Sequence, residues 1–230
     1  QRWITRVFTY PHATVRLNFF RIFAWNSKLE PREKQGLFWQ SPQHVNVSPI
    51  LPANAPILRA LQLPPIYAIT HAAEIGVENS LAQIQIAFQQ GLRLLQIREK
   101  TMEKVLLRNF SIQVIALAKT FQAKILINGD AELAREVGAD GVHLTASQLM
   151  SISERPITTE PTLCGASCHN EEELHAAEKL ALDFVVLGPV QPTLTHPNLS
   201  ALGWNRFARL IQNASIPVYA LGGLHREDLA

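Results

Sequence analysis

Residues 91–130 read GLRLLQIREKTMEKVLLRNFSIQVIALAKTFQAKILINGD. Short apolar runs at Leu92–Arg98 and Lys124–Asn128 flank the longer stretch Met102–Thr120, whose apolar residues follow a helical pattern. Short apolar runs are typical of buried strands, whereas a long amphipathic stretch is typical of a helix that covers them. The stretch therefore predicts a strand–helix–strand unit, in which the two strands are parallel.

The same alternation continues on both sides of this unit, from Ile66 onwards. Further strands are predicted at Ile66–Thr70, Gly141–Leu144, Thr162–Ser167, Phe184–Gly188 and Pro217–Leu221, and further helices at Asn79–Gln90, Ala131–Val137, Glu171–Leu182 and Trp204–Gln212. Strands that alternate with helices predict an α/β fold with a parallel sheet. Periodicity alone does not separate a barrel from a doubly wound sheet.

The first 63 residues follow a different pattern. The predicted elements there are strands at Trp3–Phe8, Thr14–Trp25 and Gly36–Trp39, and a short helix at Ala55–Leu63. Pro64 and Pro65 cannot continue that helix, so they predict a boundary. The chain begins in a strand-like run without an initiator Met and ends in what reads as the first turn of a helix. We therefore expect it to be a piece of a longer protein.

Composition excludes several classes of protein. Hydrophobic residues make up 47% of the chain and charged residues 17%, which is ample for a core. The net charge of +2, without a dense basic tract, does not favour binding to a nucleic acid polymer. No apolar run is long enough to span a membrane, and no secretory signal is present, so we expect a cytoplasmic protein. Cys164 and Cys168 are expected to be buried or inert thiols.

Polar residues follow the predicted strands at their carboxyl ends, where parallel α/β folds place their active sites. The candidates are Gln96, Arg98 and Lys100 after the second strand, Asn128 and Asp130 after the third, His143 on the fourth, Ser167 on the fifth, Thr193, Thr195 and His196 after the sixth, and Gly222 and Gly223 after the seventh. Their order on successive strand ends favours a shared mouth that binds phosphate.

Several candidates at the ends of the second, third and fourth strands also have a structural interpretation. Arg98 and Lys100 would bind phosphate through charge-assisted hydrogen bonds, or lie in a solvated loop of mixed charge. Asp130 suits a helix N-cap, and His143 suits a buried histidine whose ring nitrogens are satisfied by protein groups.

The later candidates leave similar alternatives open. His196 would transfer protons near neutral pH, or lie in a proline-rich surface loop. Gly222 and Gly223 would offer backbone N–H groups to an anion, or form a tight turn.

This ordered set resembles the thiamine phosphate synthase/TenI family. The matching stretches are QIREK (Gln96–Lys100), ILIN (Ile125–Asn128), GADGVHL (Gly138–Leu144), GAS (Gly165–Ser167), DFVVLGPVQPTLT (Asp183–Thr195) and IPVYALGG (Ile216–Gly223). The resemblance implies that residues 66–230 form a TIM-type (β/α)8 barrel lacking its last strand. It also implies a transferase that joins a pyrimidine methyl diphosphate to a thiazole phosphate and releases diphosphate with the help of Mg²⁺.

The resemblance implies a role for each matching residue. The diphosphate side would be bound by Gln96, Arg98, Lys100, Asn128, Thr193 and Thr195. Ser167 would lie near the pyrimidine or the diphosphate, Gly222 and Gly223 near the thiazole phosphate, and His143 would contribute to substrate binding. We assign His196 and Ser167 as the candidate catalytic residues.

The chain departs from the synthase pattern at three positions. Gly129 replaces the Mg²⁺-binding Asp after the third strand, Gln148 replaces a second carboxylate, and His196 replaces a Lys. The loss of two carboxylates predicts weak Mg²⁺ binding, with Asp130 left as a partial substitute. Pro189 occupies the position of the catalytic His of TenI-type tautomerases, so His143, His169 and His196 remain as substitutes for it.

Residues 1–63 resemble the C-terminal part of a MutT-type Nudix hydrolase, an α+β fold. The resembling pieces are FTYPHATVRLNFFRIFAW (Phe8–Trp25), REKQGLFW (Arg32–Trp39) and LPANAPIL (Leu51–Leu58). The resemblance implies that Asn54 contacts a purine nucleotide and that Glu33 assists metal binding. Asn54 also suits a helix cap before Pro56.

Three functional hypotheses follow. The first is a thiamine phosphate synthase/TenI-like protein, fused to a Nudix domain, that binds thiazole phosphate and a pyrimidine diphosphate. The second is a Nudix diphosphatase acting on 8-oxo-dGTP, with the barrel as an accessory ligand-binding part. The third is a barrel that binds a phosphorylated ligand without catalysis. All three take phosphorylated small molecules as partners, not a nucleic acid polymer or a membrane, and leave a homo-oligomer open.

Overall fold

The computed structural model describes residues 2–32, 36–156, 162–193 and 200–229. Its strands are β1 (Arg2–Tyr10), β2 (Ala13–Phe20), β3 (Ala68–Ile69), β4 (Leu94–Ile97), β5 (Lys124–Asn128), β6 (Gly141–Leu144), β7 (Leu163–Cys168), β8 (Phe184–Leu187) and β9 (Val218–Ala220). Its α-helices are α1 (Ala55–Leu61), α2 (Ala72–Ile75), α3 (Val77–Gln89), α4 (Lys104–Thr120), α5 (Ala131–Val137), α6 (Ala146–Ser151), α7 (Glu171–Lys179) and α8 (Gly203–Ile211). Single 3-10 turns lie at Pro52–Asn54 and Arg226–Leu229.

Strands β3 to β9 form one parallel sheet of seven strands. Each strand pairs with the next one along the chain, so the order in the sheet is the order in the sequence. A doubly wound sheet reverses its strand order at a switch point, whereas a barrel does not. The structure therefore confirms the parallel α/β prediction and selects the barrel-type order.

The sheet is curled around a common interior. Side chains from β4, β5 and β8 meet there with residues that flank or belong to β3, β7 and β9. The members of this interior cluster are Leu63, Tyr67, Leu94, Leu126, Leu163, Phe184, Val186 and Tyr219. The Tyr67 and Tyr219 rings, near the two edge strands of the described sheet, lie 5.8 Å apart between centroids. A flat sheet could not bring its two edges this close.

The outer face of the sheet is covered by helices. Because strand side chains alternate in direction, Leu95 and Ile97 of β4 point to the helices while Leu94 and Gln96 point inward. Helices α3 to α5 pack on β4 and β5, and α6 to α8 pack on β6 to β8. Cys164 and Cys168 lie in the second of these layers. Burial raises the pKa of each thiol to about 12, which fits the prediction of inert thiols.

The N-terminal region, defined here as the described part of residues 2–63, contains the antiparallel hairpin β1–β2 and helix α1. The hairpin contacts the loop that precedes β9. The Thr5 N–H donates to the Ala214 carbonyl at 3.0 Å, and the Arg6 guanidinium donates to the Ser215 carbonyl at 3.0 Å. This loop lies at the amino end of β9, so the hairpin contacts the end of the sheet opposite to the predicted mouth.

Some predicted elements differ in the structure. Gly36–Trp39 is not a strand: Phe38 and Trp39 are 74% and 79% exposed, and among the described residues no strand pairs with them. Strand β2 ends at Phe20, five residues before the predicted end at Trp25. Helices α2 and α6 were not predicted, since helices of four and six residues carry little periodic signal. Within the described ranges, no helix is both long and apolar enough to cross a bilayer.

Candidate functional site

The polar residues that end the parallel strands come together at one rim, which we call the mouth. The Gln96 side-chain amide, only 2% exposed, donates to the Asn128 Oδ1 at 2.9 Å. This bond joins the carboxyl ends of β4 and β5. The bond satisfies one buried donor of Gln96 and one acceptor of Asn128, as buried polar groups require. The two residues therefore form one fixed wall of the mouth.

A second set of hydrogen-bonded side chains at the mouth joins β6 to β7 and to Tyr67. The His143 Nε2 lies 3.0 Å from the Ser167 Oγ, and the His143 Nδ1 lies 3.2 Å from the Tyr67 hydroxyl oxygen. Burial, and then the nearby positive charge of Arg98, lower the pKa of His143 from 6.5 to about 3. His143 is therefore neutral at physiological pH, with both ring nitrogens satisfied by protein groups.

Space for the His143 ring depends on Gly165 of β7. A Cβ atom at Gly165 would lie 2.6 Å from the Phe184 ring and 3.1 Å from the His143 Nδ1. The glycine of the GAS stretch thus has a packing role that its sequence position did not reveal. Tyr67 was also missed in the sequence, because an aromatic residue at the start of a strand gives no signal beyond its β-propensity.

The loop after β4 separates charges of opposite sign. Arg98 is partly exposed and lies close enough to His143 to affect its pKa, and Lys100 is exposed. Between them, Glu99 points inward and is 7% exposed. Its carboxylate accepts the N–H groups of Ala72 and Ala73 at 2.7 and 2.8 Å. Glu99 therefore caps α2 and holds the loop that carries Arg98 and Lys100.

The glycine pair after β9 is shaped by close backbone approach. Gly222 and Gly223 have φ of +99° and +63°, and a Cβ on either would lie within 2.6 Å of Pro189 or Pro192. The Gly222 carbonyl accepts the Gln191 N–H at 2.9 Å. Among the residues that the structure describes, neither glycine N–H has a backbone acceptor. The tight turn and the anion-binding interpretation are therefore compatible.

Neutral groups occupy Gly129 and Gln148, the two positions where the resemblance implies Mg²⁺-binding carboxylates in synthases. The Gln148 Nε2 donates to the Gly129 carbonyl at 2.6 Å, and the Gln148 Oε1 accepts the Thr145 N–H at 3.0 Å. Asp130 caps α5 by accepting the Leu133 N–H at 2.8 Å, as the capping interpretation predicted. No group of three or more His, Cys, Asp or Glu residues suited to a metal occurs in the described part of the chain. These groups do not fit a carboxylate-based Mg²⁺ site.

Several predicted site residues lie away from the mouth or outside the described residues. Thr195, His196 and Glu33 belong to the segments that the structure does not describe. His169 pairs with Glu173 on α7 at 2.9 Å. Asn54 precedes α1, but its side chain makes no capping hydrogen bond, so the capping alternative for this residue is wrong.

Comparison with known proteins agrees with this geometry. The sequence model of the TMP-TENI family, described as thiamine monophosphate synthase, matches residues 66–230. The putative thiamine-phosphate synthase 2 of Aquifex aeolicus is 34% identical over 169 residues, which cover 74% of this chain and 90% of the relative. A putative thiamine-phosphate synthase of Geobacter sulfurreducens is 32% identical over 168 residues, covering 71% of this chain and 78% of the relative.

A solved structure shares the fold. Thiamine phosphate pyrophosphorylase from Pyrococcus furiosus matches with a TM-score of 0.58 and 22% identity, covering 70% of this chain and 76% of that one. At this identity the likeness concerns the fold alone. The match of the family model over more than half of the chain, and the relatives above 30% identity, establish the family. This chain belongs to the thiamine monophosphate synthase (TMP-TENI) family.

Proposed function

We propose that the mouth binds a phosphorylated small molecule, with thiazole phosphate as the first candidate, and that the protein serves thiamine biosynthesis. The observation that carries the proposal is the convergence of the Gln96–Asn128 and His143–Ser167 pairs at one rim, with Arg98 beside them. Fixed neutral donors and an adjacent guanidinium suit a phosphate group, because charge-assisted hydrogen bonds are the strong ones. Family membership supports the same ligand.

A pyrimidine methyl diphosphate is the proposed second ligand. In the reaction, the thiazole ring nitrogen supplies the electron pair for a new bond to the methyl carbon of the pyrimidine. The bond from that carbon to the diphosphate breaks, and the diphosphate leaves with its electron pair and gathers negative charge. Donors and cations aimed at that charge accelerate such a step. In this chain Arg98 and Lys100 would supply the positive charge, because Gly129 and Gln148 stand where carboxylates would hold Mg²⁺. We therefore expect slow synthase turnover that depends weakly on Mg²⁺.

Calorimetry with thiazole phosphate tests the binding proposal. The 230-residue chain should give a saturable signal, and Arg98→Ala should weaken binding about tenfold or more, since a hydrogen bond to a charged group contributes about 1.5–3 kcal/mol. Arg108→Ala is the matched control, because Arg108 lies on α4 and pairs with Glu136 at the outer surface. No saturation at millimolar ligand, or equal effects of the two substitutions, would contradict the proposal.

An assay of thiamine phosphate formation from the two substrates tests the synthase step. Thiamine phosphate formation should be slow, and it should change little when Mg²⁺ is removed with a chelator. Turnover at ordinary enzyme rates that collapses without Mg²⁺ would overturn the metal argument. Tight ligand binding without any turnover would favour the hypothesis of a non-catalytic phosphate-binding barrel.

We also propose a second candidate function for residues 1–63, that of a nucleotide-binding part of a Nudix-type hydrolase. One observation favours it: within the described part of the chain, the partly buried Asn54 side chain makes no capping hydrogen bond, so capping of α1 does not account for this residue. Titration with 8-oxo-dGTP should show binding that Asn54→Ala weakens and that Arg98→Ala leaves unchanged. Binding that is insensitive to Asn54→Ala would remove this candidate.

A further inference from the structure

Tyr67, His143 and Ser167 form a row of hydrogen bonds through the mouth. The three side chains are joined by hydrogen-bond distances of 3.2 and 3.0 Å through the two nitrogens of one imidazole. A neutral imidazole has one N–H donor and one acceptor nitrogen, so only two arrangements of the hydrogens are possible. In one, Tyr67 donates and Ser167 accepts. In the other, Ser167 donates and Tyr67 accepts.

We propose that Tyr67 is a positioning residue. By donating its hydroxyl hydrogen to the His143 Nδ1, it fixes the histidine proton on Nε2 and makes Ser167 a hydrogen-bond donor toward the mouth. The last step rests on the proposed function, because that donor needs an anionic oxygen of a phosphate or diphosphate to receive it.

The need of the Tyr67 hydroxyl hydrogen for an acceptor decides between the two arrangements. Among the described residues, the His143 Nδ1 is the one hydrogen-bond partner of the Tyr67 oxygen. If Nδ1 carried the proton instead, the tyrosine hydrogen would have no acceptor. A donor left unsatisfied in a protein interior shifts such an equilibrium about 5- to 150-fold. Burial raises the pKa of Tyr67 well above its ordinary value, so the hydroxyl keeps its hydrogen.

The role of Ser167 follows from this direction. The His143 Nε2–H occupies a lone pair of the Ser167 Oγ at 3.0 Å, so His143 does not withdraw the serine proton. Because the pKa of His143 falls to about 3, the ring also does not become a doubly protonated donor near neutral pH. Ser167 is partly exposed at the mouth. Its own hydrogen therefore points to a ligand oxygen, and Ser167 acts as a donor to an anion and not as an activated nucleophile.

Nitrogen NMR of the histidine ring tests the tautomer directly. In the 230-residue chain, the His143 Nε2 should show the chemical shift of a protonated nitrogen and Nδ1 that of an unprotonated one. Tyr67→Phe keeps the ring but removes the hydroxyl, so the proton should move to Nδ1 in a measurable fraction of molecules. Tyr219→Phe is the matched control, because the Tyr219 hydroxyl donates to the Pro64 carbonyl in the same interior and does not contact His143. In the Tyr219→Phe variant, the His143 tautomer should stay as in the wild type.

Binding of inorganic diphosphate tests the consequence. Ser167→Ala should weaken binding about tenfold, Tyr67→Phe by a smaller factor in the same direction, and the double variant no more than Ser167→Ala alone. Tyr219→Phe should bind as the wild type does. A wild-type proton on Nδ1, or a Tyr67→Phe variant with unchanged tautomer, would overturn the inference. If diphosphate fails to bind at all, the proposed function fails, and the NMR measurement still decides the role of Tyr67.

Discussion

The N-terminal region and the barrel region (residues 66–229) both contain β-strands rich in apolar residues, yet their burial differs sharply. In the barrel region, strands such as β4, β6 and β8 are buried at every residue. In the N-terminal region, Ile4 of β1 is buried, whereas Val7 of β1 and Phe20 of β2 are largely exposed. A strand buries both faces only when strands flank it and layers cover it. The composition of a strand is therefore a weaker guide to its burial than its neighbours are.

The sharpest test of this difference compares two phenylalanines. Phe184 is fully buried, with its ring against Tyr67 and Tyr219, whereas Phe38 is 74% exposed. Phe184→Ala should lower the free energy of unfolding by about 3–5 kcal/mol. Phe38→Ala should change it by less than about 0.5 kcal/mol. Urea unfolding of both variants measures the two effects, and comparable losses would show that the exposed aromatic residues are packed in solution.

The pH dependence of stability gives a second contrast between the regions, because His143 is buried in the barrel region. Because the pKa of His143 is about 3 in the folded protein and 6.5 without burial, the unfolded chain binds a proton between these values that the folded protein does not. The stability that His143 contributes is therefore present above about pH 6.5 and is lost as the pH falls toward 3, by at most about 1.4 kcal/mol per pH unit.

Urea unfolding from pH 7 to pH 4.5 measures this loss. His143→Gln should flatten the pH dependence of the free energy of unfolding. Phe38→Ala, which removes no titratable group at an exposed position of the N-terminal region, should leave the slope unchanged. The same slope in His143→Gln as in the wild type would contradict the assignment.

The attachment of the hairpin should be weaker than the interior of the barrel region. Ile4 is 1% exposed and packs on Ile57 of α1. Ile4→Ala should lower the free energy of local opening of the hairpin by about 2 kcal/mol or more. Hydrogen exchange should then show faster exchange of the Thr5 amide, with that of the Leu126 amide unchanged. Val7→Ala, on the exposed face of β1, is the control. Equal acceleration at Leu126 would show that the two regions open together.

The smallest expected effect concerns the neutral groups at the mouth. Gly129→Asp combined with Gln148→Asp introduces two carboxylates, although φ of +70° at Gly129 strains an Asp there; a Cβ at this position would lie 3.3 Å from the Gln148 Oε1 of the wild type, which the second substitution removes. Mg²⁺ at ten times its dissociation constant should stabilise this variant by about 1.4 kcal/mol. The wild type, and a control with Asn at both positions, should show no such gain in melting temperature. Equal Mg²⁺ stabilisation of the wild type would contradict the argument that Gly129 and Gln148 do not suit Mg²⁺ binding.

The sequence predicted the strands of the barrel region well, because each carries a short apolar run between polar loops. It also predicted the Asp130 cap and the burial of Cys164 and Cys168. The sequence did not predict that Glu99 points inward. Glu99 lies between two other charged residues in a loop, and a loop has no regular alternation that would show which side chain is buried. The partners of Gln148 were likewise invisible, because Gly129 lies 19 residues earlier in the chain.

Local pattern and chemistry thus fixed which residues form parallel strands and which polar groups end them, because strand burial and helix caps depend on near neighbours in the sequence. The family resemblance already implied a barrel and the loss of a carboxylate at Gln148. Only the tertiary structure decided that Tyr67 reaches His143 across 76 residues and that Gln148 donates to the Gly129 backbone carbonyl. The Tyr67–His143 contact depends on the curvature of the sheet. That curvature brings together side chains far apart in sequence, and no local property of the chain encodes it.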